Sequence, residues 1–322
     1  MRGTRALRLL AVLLAGSTIV RGEEPEKRRV FHLDSYFTGY GISDDTAAGL
    51  KSVLRDKPVQ VSTFYMDTKR HASDAEVKDA VTRARAAIEA FQPHVIIASD
   101  DAAVKYVVAP YYKDGPIPVV FCGVNWSAEP YGLPTAHVTG MVEVVPVLEA
   151  IELARKYFPN LRRLGVLSED SLSERNNKAL LEPKYRALGL DVTYVMAADF
   201  ATWKREFERL QGAVDVLYLP TNGAVKDWND AEAAAFVRSS TRKPAIATDD
   251  FMTPYALLGL AKTQVEQGEW AARTALEILE GRKPSDIPVV RNRRRIAYVN
   301  TTLAATLRFV PGPGLQGAKT VN

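Results

Sequence analysis

The sequence has a single cysteine, Cys122, so the chain cannot close an internal disulfide and has to rely on its core. Its four histidines, His32, His71, His94 and His137, fall in no His-Glu-x-x-His pattern, and no Cys-x-x-Cys occurs. A transition-metal site is therefore unsupported, and the histidines are read as structural. There is no Gly-x-Ser-x-Gly turn to raise a serine nucleophile, and no histidine spacing suggests a triad. Low-complexity tracts and short-period repeats are missing as well. No apolar run reaches the roughly 20 residues that a membrane-spanning helix requires. No catalytic residue, metal or cofactor is expected on these grounds.

An excess of positive charge on the folded part is also lacking. The formal charge is +4, but residues 1–22 hold Arg2, Arg5, Arg8 and Arg21 and no acid, so the remainder is formally neutral. The one dense basic run, Arg291 to Arg295, lies beside a predicted strand and reads as a solvated edge. A nucleic-acid partner is not expected. The basic residues at the start, the apolar run Leu9 to Ala15 and the small or mixed residues down to Gly22 have the order of a secretory signal peptide. Cleavage after Gly22 is expected, with Ala15 and Gly16 as other possible sites. No cysteine follows the run to take a lipid anchor, so the expected product is free, soluble and periplasmic.

What the remaining 300 or so residues do contain is alternation, at a length that suits two lobes. Short apolar runs suited to strands lie at Val30–Leu33, Val59–Phe64, His94–Ala98 and Ile117–Phe121. Between them lie amphipathic stretches at Ser43–Arg55, Asp74–Phe91 and Asp101–Tyr111, each opened by a capping residue. The pattern pauses at Asn125–Thr139, a stretch with Pro130, Gly132 and Pro134 that reads as a linker, and then restarts. A helix at Val144–Tyr157 leads into strands at Arg163–Leu167, Val192–Met196, Val214–Leu219 and Pro244–Thr248. Helices at Ser173–Leu188, Ala201–Gln211 and Trp228–Ser239 fill the gaps. An apolar run at Ala256–Leu260, a periodic helix at Val265–Leu279 and an extended run at Ile287–Asn300 follow. This predicts an α/β fold of two Rossmann-like lobes with parallel sheets, joined by a hinge of several strands. The expected division is 23–138 plus 256–285 for lobe 1, and 139–255 plus 286–322 for lobe 2.

If each lobe has the strand order 2-1-3-4, a ligand belongs at the carboxyl ends of its first and third strands. The loops there hold Ser35, Tyr36, Ser99, Asp100, Asp101, Asn125 and Trp126 in the first lobe. In the second they hold Asp170, Ser171, Thr221, Asn222, Asp249 and Asp250. Helix starts in such loops favour an anionic group, although Ser35, Ser99, Asp101 and Ser171 could each be a plain helix cap. The pairs Asp100–Asp101 and Asp249–Asp250 would be costly in a closed cleft unless a cation or several donors answered them, which implies an amine or several donors on the ligand. A hard cation or an acid and base role for these aspartates is the minor alternative. Tyr36, Tyr40, Trp126 and Phe251 could wall an apolar or aromatic portion, Phe251 being the one most easily read as plain packing. Gly312-Pro-Gly-Leu-Gln-Gly317 matches a dinucleotide fingerprint but follows no predicted strand, and Asn125-Trp-Ser and Asn300-Thr-Thr match glycosylation acceptors but lie within strand connections. All three are set aside.

At these residues the chain resembles the substrate-binding proteins of ABC transporters, whose characterised relatives bind aromatic amino acids. The likeness runs through Gly259-Leu260, Gln267-Gly268 with Ala271 and Ala272, Ile278 to Gly281, Pro284 to Pro288 and Val299-Asn300. Its N-terminal part is similar to a sensor-associated branch, at Asp34-Ser35-Tyr36, Tyr65 to Arg70, Ser99 to Ala102 and Val119 to Asn125. The resemblance implies a periplasmic binding protein type 1 fold and no enzymatic activity. It also implies a small organic ligand, amino acid-like or aromatic, held between the lobes. The implied partner is a membrane permease for uptake or, alternatively, a sensor receptor to which ligand is presented. Nothing in the sequence calls for more than a monomer.

Overall fold

The computed structural model describes residues 27–322, so the expected signal peptide at 1–22 lies outside the described residues. Among the described residues no helix is long and apolar enough to cross a membrane.

The first sheet contains β1 (Arg28–Asp34), β2 (Val59–Tyr65), β3 (Val95–Ser99), β4 (Val119–Asn125) and β5 (Val138–Glu143), with the short β11 (Val290–Arg291) at its edge. Its order is β2-β1-β3-β4-β5-β11, all parallel. The second contains β6 (Arg163–Glu169), β7 (Asp191–Ala197), β8 (Val216–Tyr218), β9 (Ala245–Ala247), β10 (Leu258–Lys262), β12 (Arg295–Asn300) and β13 (Lys319–Val321). Its order is β7-β6-β8-β9-β10-β12-β13, with β12 running antiparallel to β10. Each sheet begins with the expected 2-1-3-4 order, and each then carries strands beyond the four.

Period-two alternation places these strands between layers of helix. In β3, Val95 and Ile97 pack against α1 (Gly41–Leu54) and α8 (Gln264–Leu279) through Leu50, Leu54, Ala271 and Ala275. The alternate residues Ile96 and Ala98 face α2 (Asp74–Phe91) on the other side. Ser73 and Glu76 close a reciprocal capping box at the start of α2. The next helix, α3 (Asp100–Ala103), continues to Tyr112 as widened π-type turns that contain Pro110, a residue with no N–H to donate. In the second lobe α4 (Val147–Tyr157), α5 (Leu172–Ala187), α6 (Phe200–Ala213), α7 (Asp230–Ser240) and the short α9 (Thr301–Thr306) surround one continuous core. Trp203 is fully buried there against Phe200, Phe207 and Trp228.

The stretch Asn125–Thr139 is not a linker between lobes. It joins β4 to β5 inside the first sheet, and its prolines and Gly132 serve a tight path with a cis Leu133–Pro134 bond. Likewise β10, built on the apolar run at 256–260, pairs with β9 and β12 in the second sheet. The chain crosses between sheets near 143–147, 262–264 and 291–295. The crossings are tied together: Asn292 Oδ1 accepts from Val144 N at 2.8 Å, and the Gln264 amide donates to Glu143. The glycine fingerprint at 312–317 is a short turn packed on Tyr157, and Asn300 is a buried cap of α9.

Candidate functional site

The carboxyl ends of β1, β3, β4 and β5 face those of β6, β8, β9 and β10 across a narrow, nearly filled cavity of about 20 Å³. Of the residues expected there, Tyr36, Asp100 and Asn125 line it from the first lobe, and Thr221 and Asp249 from the second. Asp100 takes φ +70°, an uncommon region for a residue with a Cβ. Gly123, at φ +74°, leaves room beside it: a Cβ there would sit 3.2 Å from the Asp100 carboxyl carbon.

The other expected residues lie around the cavity rather than in its wall. Ser35 is fully buried, donating to the Ser99 carbonyl at 2.6 Å and accepting from Ala103 N at 2.8 Å, so it joins β1 to α3. Ser99 hydrogen-bonds His32 Nε2 at 2.8 Å and lies 3.4 Å from Cys122 Sγ, beneath the floor. Asp101 accepts from the Tyr131 hydroxyl and the Asn125 amide, both at 2.7 Å, which turns it away from the cavity and fixes Asn125. With Asp170 and Ser171 it lines an adjoining crevice. Asp170 is exposed and paired with Arg175, while Ser171 caps α5. Asn222 faces an outer groove on the opposite rim. Asp250 accepts from the backbone N–H of Phe251 at 2.8 Å. Trp126 Nε1 donates across the lobes to Asn177 Oδ1 at 2.9 Å, and Phe251 packs edge-on against Tyr40 across the same divide at 5.5 Å.

Several cavity residues were not singled out from sequence: Lys69, Glu143, Glu174, Asn177, Tyr218 and Lys262. Two of them had a legible signal. Lys262 ends the apolar run that forms β10, and a charge at the tip of a buried strand needs a partner. Glu143 ends β5 in the same way. The Lys262 ammonium lies 3.1 Å from Glu143 and also bonds Asp249. Burial alone would push this ammonium down, but the Asp249 and Glu143 carboxylates outweigh it and hold it above the ordinary lysine value. Burial raises Asp249 to about 6 against the pull of Lys262, because one ammonium serves two acids. Asp100 is pushed well above the carboxylate range by burial and by Glu143, Asp34 and Asp101, with Lys262 opposing.

The expected demand for a positive partner is thus met in part by the protein itself. In and beside the cavity five buried acids, Asp100, Glu143, Glu169, Glu174 and Asp249, face two buried lysines, Lys69 and Lys262. Thr221 Oγ1 and Asn125 Oδ1 have no protein partner. Among the described residues no group of three or more His, Cys, Asp or Glu side chains is placed to hold a metal ion.

Below the floor, burial lowers His32 to about 4, while burial raises Asp34 to about 6 against hydrogen bonds from Tyr36 N and the Ser43 hydroxyl. The two act with opposite sign. His32, depressed in the fold, contributes stability present above pH 6.5 that is lost as pH falls toward 4. Asp34, raised in the fold, contributes stability present below its unfolded value of 3.8 that is lost as pH rises through 6. A His32→Gln variant, compared with the parent by urea midpoint, should gain progressively as pH falls from 6.5 to 4.5. A constant difference across that range would show that His32 does not titrate on unfolding.

A sequence profile described as ABC transporter substrate binding protein matches residues 41–310. A tyrosine-binding protein of Clostridioides difficile (strain R20291) is 25% identical over 191 residues, which are 56% of this chain and 54% of that protein, so the match spans about half of the relative's length. Among solved structures, an ABC domain in complex with L-Trp from Streptococcus pneumonia superposes with a TM-score of 0.71 at 19% identity, covering 92% of this chain and 100% of that one. The ligand-free, open structure of a substrate-binding protein with adhesive properties from Clostridium difficile gives 0.65 at 17%, covering 92% and 99%. The two structural likenesses each cover 92% of this chain, and the matched proteins are solute-binding proteins rather than enzymes. The chain belongs to the ABC transporter substrate-binding protein family.

Proposed function

We propose that this protein captures a small amine-bearing organic solute, of the aromatic amino acid class, in the periplasm and hands it to an ABC-type permease. The observation that carries this reading is the surplus of buried acids over buried lysines in the cavity. An acid such as Asp100, which burial and its acidic neighbours push well above the carboxylate range, would gain a partner and ionise beside a ligand ammonium. Thr221 Oγ1 and Asn125 Oδ1, buried without partners, supply hydrogen bonds from one lobe each. Tyr36 supplies a flat wall. The names of the relatives, a tyrosine-binding protein and an L-Trp complex, agree with a ligand that carries both an ammonium and an aromatic ring. Ligand, in this reading, meets one lobe first, and closure then completes the contacts from the other and excludes water. Lobe 1 is proposed to span 28–143 with 264–291, and lobe 2 the remainder of the described chain.

L-Tyrosine and L-tryptophan are the first probes. At about 100 times its dissociation constant a true ligand adds roughly 2.7 kcal/mol of stability, which a thermal-shift titration reads directly. Native mass spectrometry should recover the solute intact after denaturation, whereas turnover would favour an enzyme. No shift with either amino acid, or an equal shift with the amine-free 3-(4-hydroxyphenyl)propionate, would sink the ligand class. Trp126→Phe removes the Trp126–Asn177 hydrogen bond between the lobes, worth about 1 kcal/mol. It should weaken solute binding about five-fold by calorimetry.

A further inference from the structure

The inner cavity of about 20 Å³ has room for little more than a water molecule. An ammonium group is of that size, and an aromatic ring is not. The larger space is the outer groove, about 900 Å³ in volume and walled by the same two lobes. Lys69, bonded to Glu169, lines both spaces and stands at their junction. A line of rings leads from one to the other. Tyr36 borders the cavity, Tyr40 packs on it at 5.5 Å, and Phe37 and Phe251 pack on Tyr40 at 5.4 and 5.5 Å and line the groove. The facing wall is held in place, for Asp230 accepts from Trp228 Nε1 at 2.8 Å and from the Tyr255 hydroxyl at 2.6 Å, fixing the two rings edge to face at 5.2 Å. On the first lobe the Arg70 guanidinium, itself paired with Asp67, lies 3.8 Å from the Phe37 ring centre. A Cβ on Gly41 would lie 2.8 Å from Phe251 and one on Gly223 2.6 Å from Tyr40, so the lobes meet closely at these glycines while the groove stays open.

We propose that the outer groove is the ring subsite of the cleft: the solute lies lengthwise, with its ammonium among the inner acids and its aromatic ring in the groove. The chemistry along this path follows the order of groups along an aromatic amino acid. Acids come first, then the Lys69 ammonium, where a carboxylate one carbon from the amine would meet it, and rings last. Burial of the solute ring against Phe37, Phe251 and Trp228 supplies the apolar part of the binding, and the inner acids supply the charge selection. The groove is far larger than one ring, and its lining includes the exposed Lys226 and Asp227, so it opens to solvent. The solute is therefore selected tightly at its amine end and loosely at its ring end. This inference rests on the reading of the cleft as a site for an amine-bearing aromatic solute and adds where the ring goes.

Isothermal titration calorimetry tests it with L-phenylalanine and 4-phenyl-L-phenylalanine, which carries a second ring rigidly beyond the first. The extended solute should bind the wild type within about three-fold of L-phenylalanine, or more tightly, because its added ring finds cover in the groove. Phe37 lines the groove and not the cavity, so Phe37→Ala should weaken L-tyrosine about ten-fold. Ala231→Trp, at an exposed position on the first turn of α7, crowds the same groove without disturbing the Phe37 packing and should weaken L-tyrosine about as much. Circular dichroism confirms that each variant is folded. Unchanged L-tyrosine affinity in both variants, or a loss of about ten-fold or more for the extended solute, would overturn the ring subsite while leaving the ligand class intact. A wild type that binds neither L-tyrosine, L-tryptophan nor L-phenylalanine would instead overturn the aromatic amine reading, and the ring subsite with it.

Discussion

Replacing Lys262 by methionine should lower the free energy of unfolding by about 3 to 5 kcal/mol, because removing one member of a buried charged cluster strands the others. Lys262 is 4% exposed, and its ammonium is bonded to both Glu143 and Asp249. Methionine fills much of the same volume, so the loss is electrostatic rather than steric. The position multiplies the effect. Lys262 stands where the chain leaves the second sheet, and Glu143 where it leaves the first. Gln264, two residues on, also donates to Glu143, so one cluster fastens two of the three crossings. Urea denaturation at pH 7 measures the loss. Removing the acids together with the lysine, as Lys262→Met/Asp249→Asn/Glu143→Gln, should recover a large part of it. A single variant that loses less than about 1 kcal/mol would mean that water reaches the cluster.

Gly268→Ala should cost about 3 kcal/mol or more, at the upper end for overpacking. The contact is between backbones: a Cβ on Gly268 would lie 2.1 Å from the Thr46 carbonyl oxygen and 2.9 Å from Leu50 N. The reverse contact is equally close, with a Cβ on Gly49 falling 2.3 Å from the Val265 carbonyl oxygen. Helices α1 and α8 therefore touch at two glycines that have no side chain to give way, and the methyl can be housed only by moving one helix. Since α8 follows Lys262 across the hinge, such a movement would also tilt the first lobe against the second. The same urea experiment reads the stability, and scattering reads the tilt. A loss below about 1 kcal/mol would show that the helices are not held at this separation.

Most of the fold could be read along the chain, and the exceptions share a cause. Strands β1 to β4 and β6 to β9 lie where short apolar runs place them, and both sheets start with the 2-1-3-4 order that the sequence alone leaves as an assumption, since β-α alternation gives parallel strands but not their order. The residues of β5 escaped because prolines and Gly132 just before them look like the start of a linker, when they only turn the chain within one sheet. The candidate site was legible as a set of loops but not as a set of contacts. Asp100, Asn125, Thr221 and Asp249 face the cavity, whereas Ser35, Ser99 and Ser171, equally short and polar, turn to backbone and neighbouring side chains. Nothing local separates the two groups. The choice depends on which way each strand tip points, and Asp100 points inward through a backbone conformation that no sequence pattern announced.

By itself the amino-acid order determined the periodicity, the two-lobed plan and the lack of any metal or nucleophile motif. It did not determine the caps: Ser43, Asp74 and Asp101 lie inside their helices, which begin after Tyr40, Ser73 and Ser99. Tertiary structure alone decided that Lys69 meets Glu169 across 100 residues and that Glu143 meets Gln264 across 121. A backbone period records how a segment buries one face. It carries no record of which distant strand tips converge, and the charges of the cleft acquire partners only at that convergence.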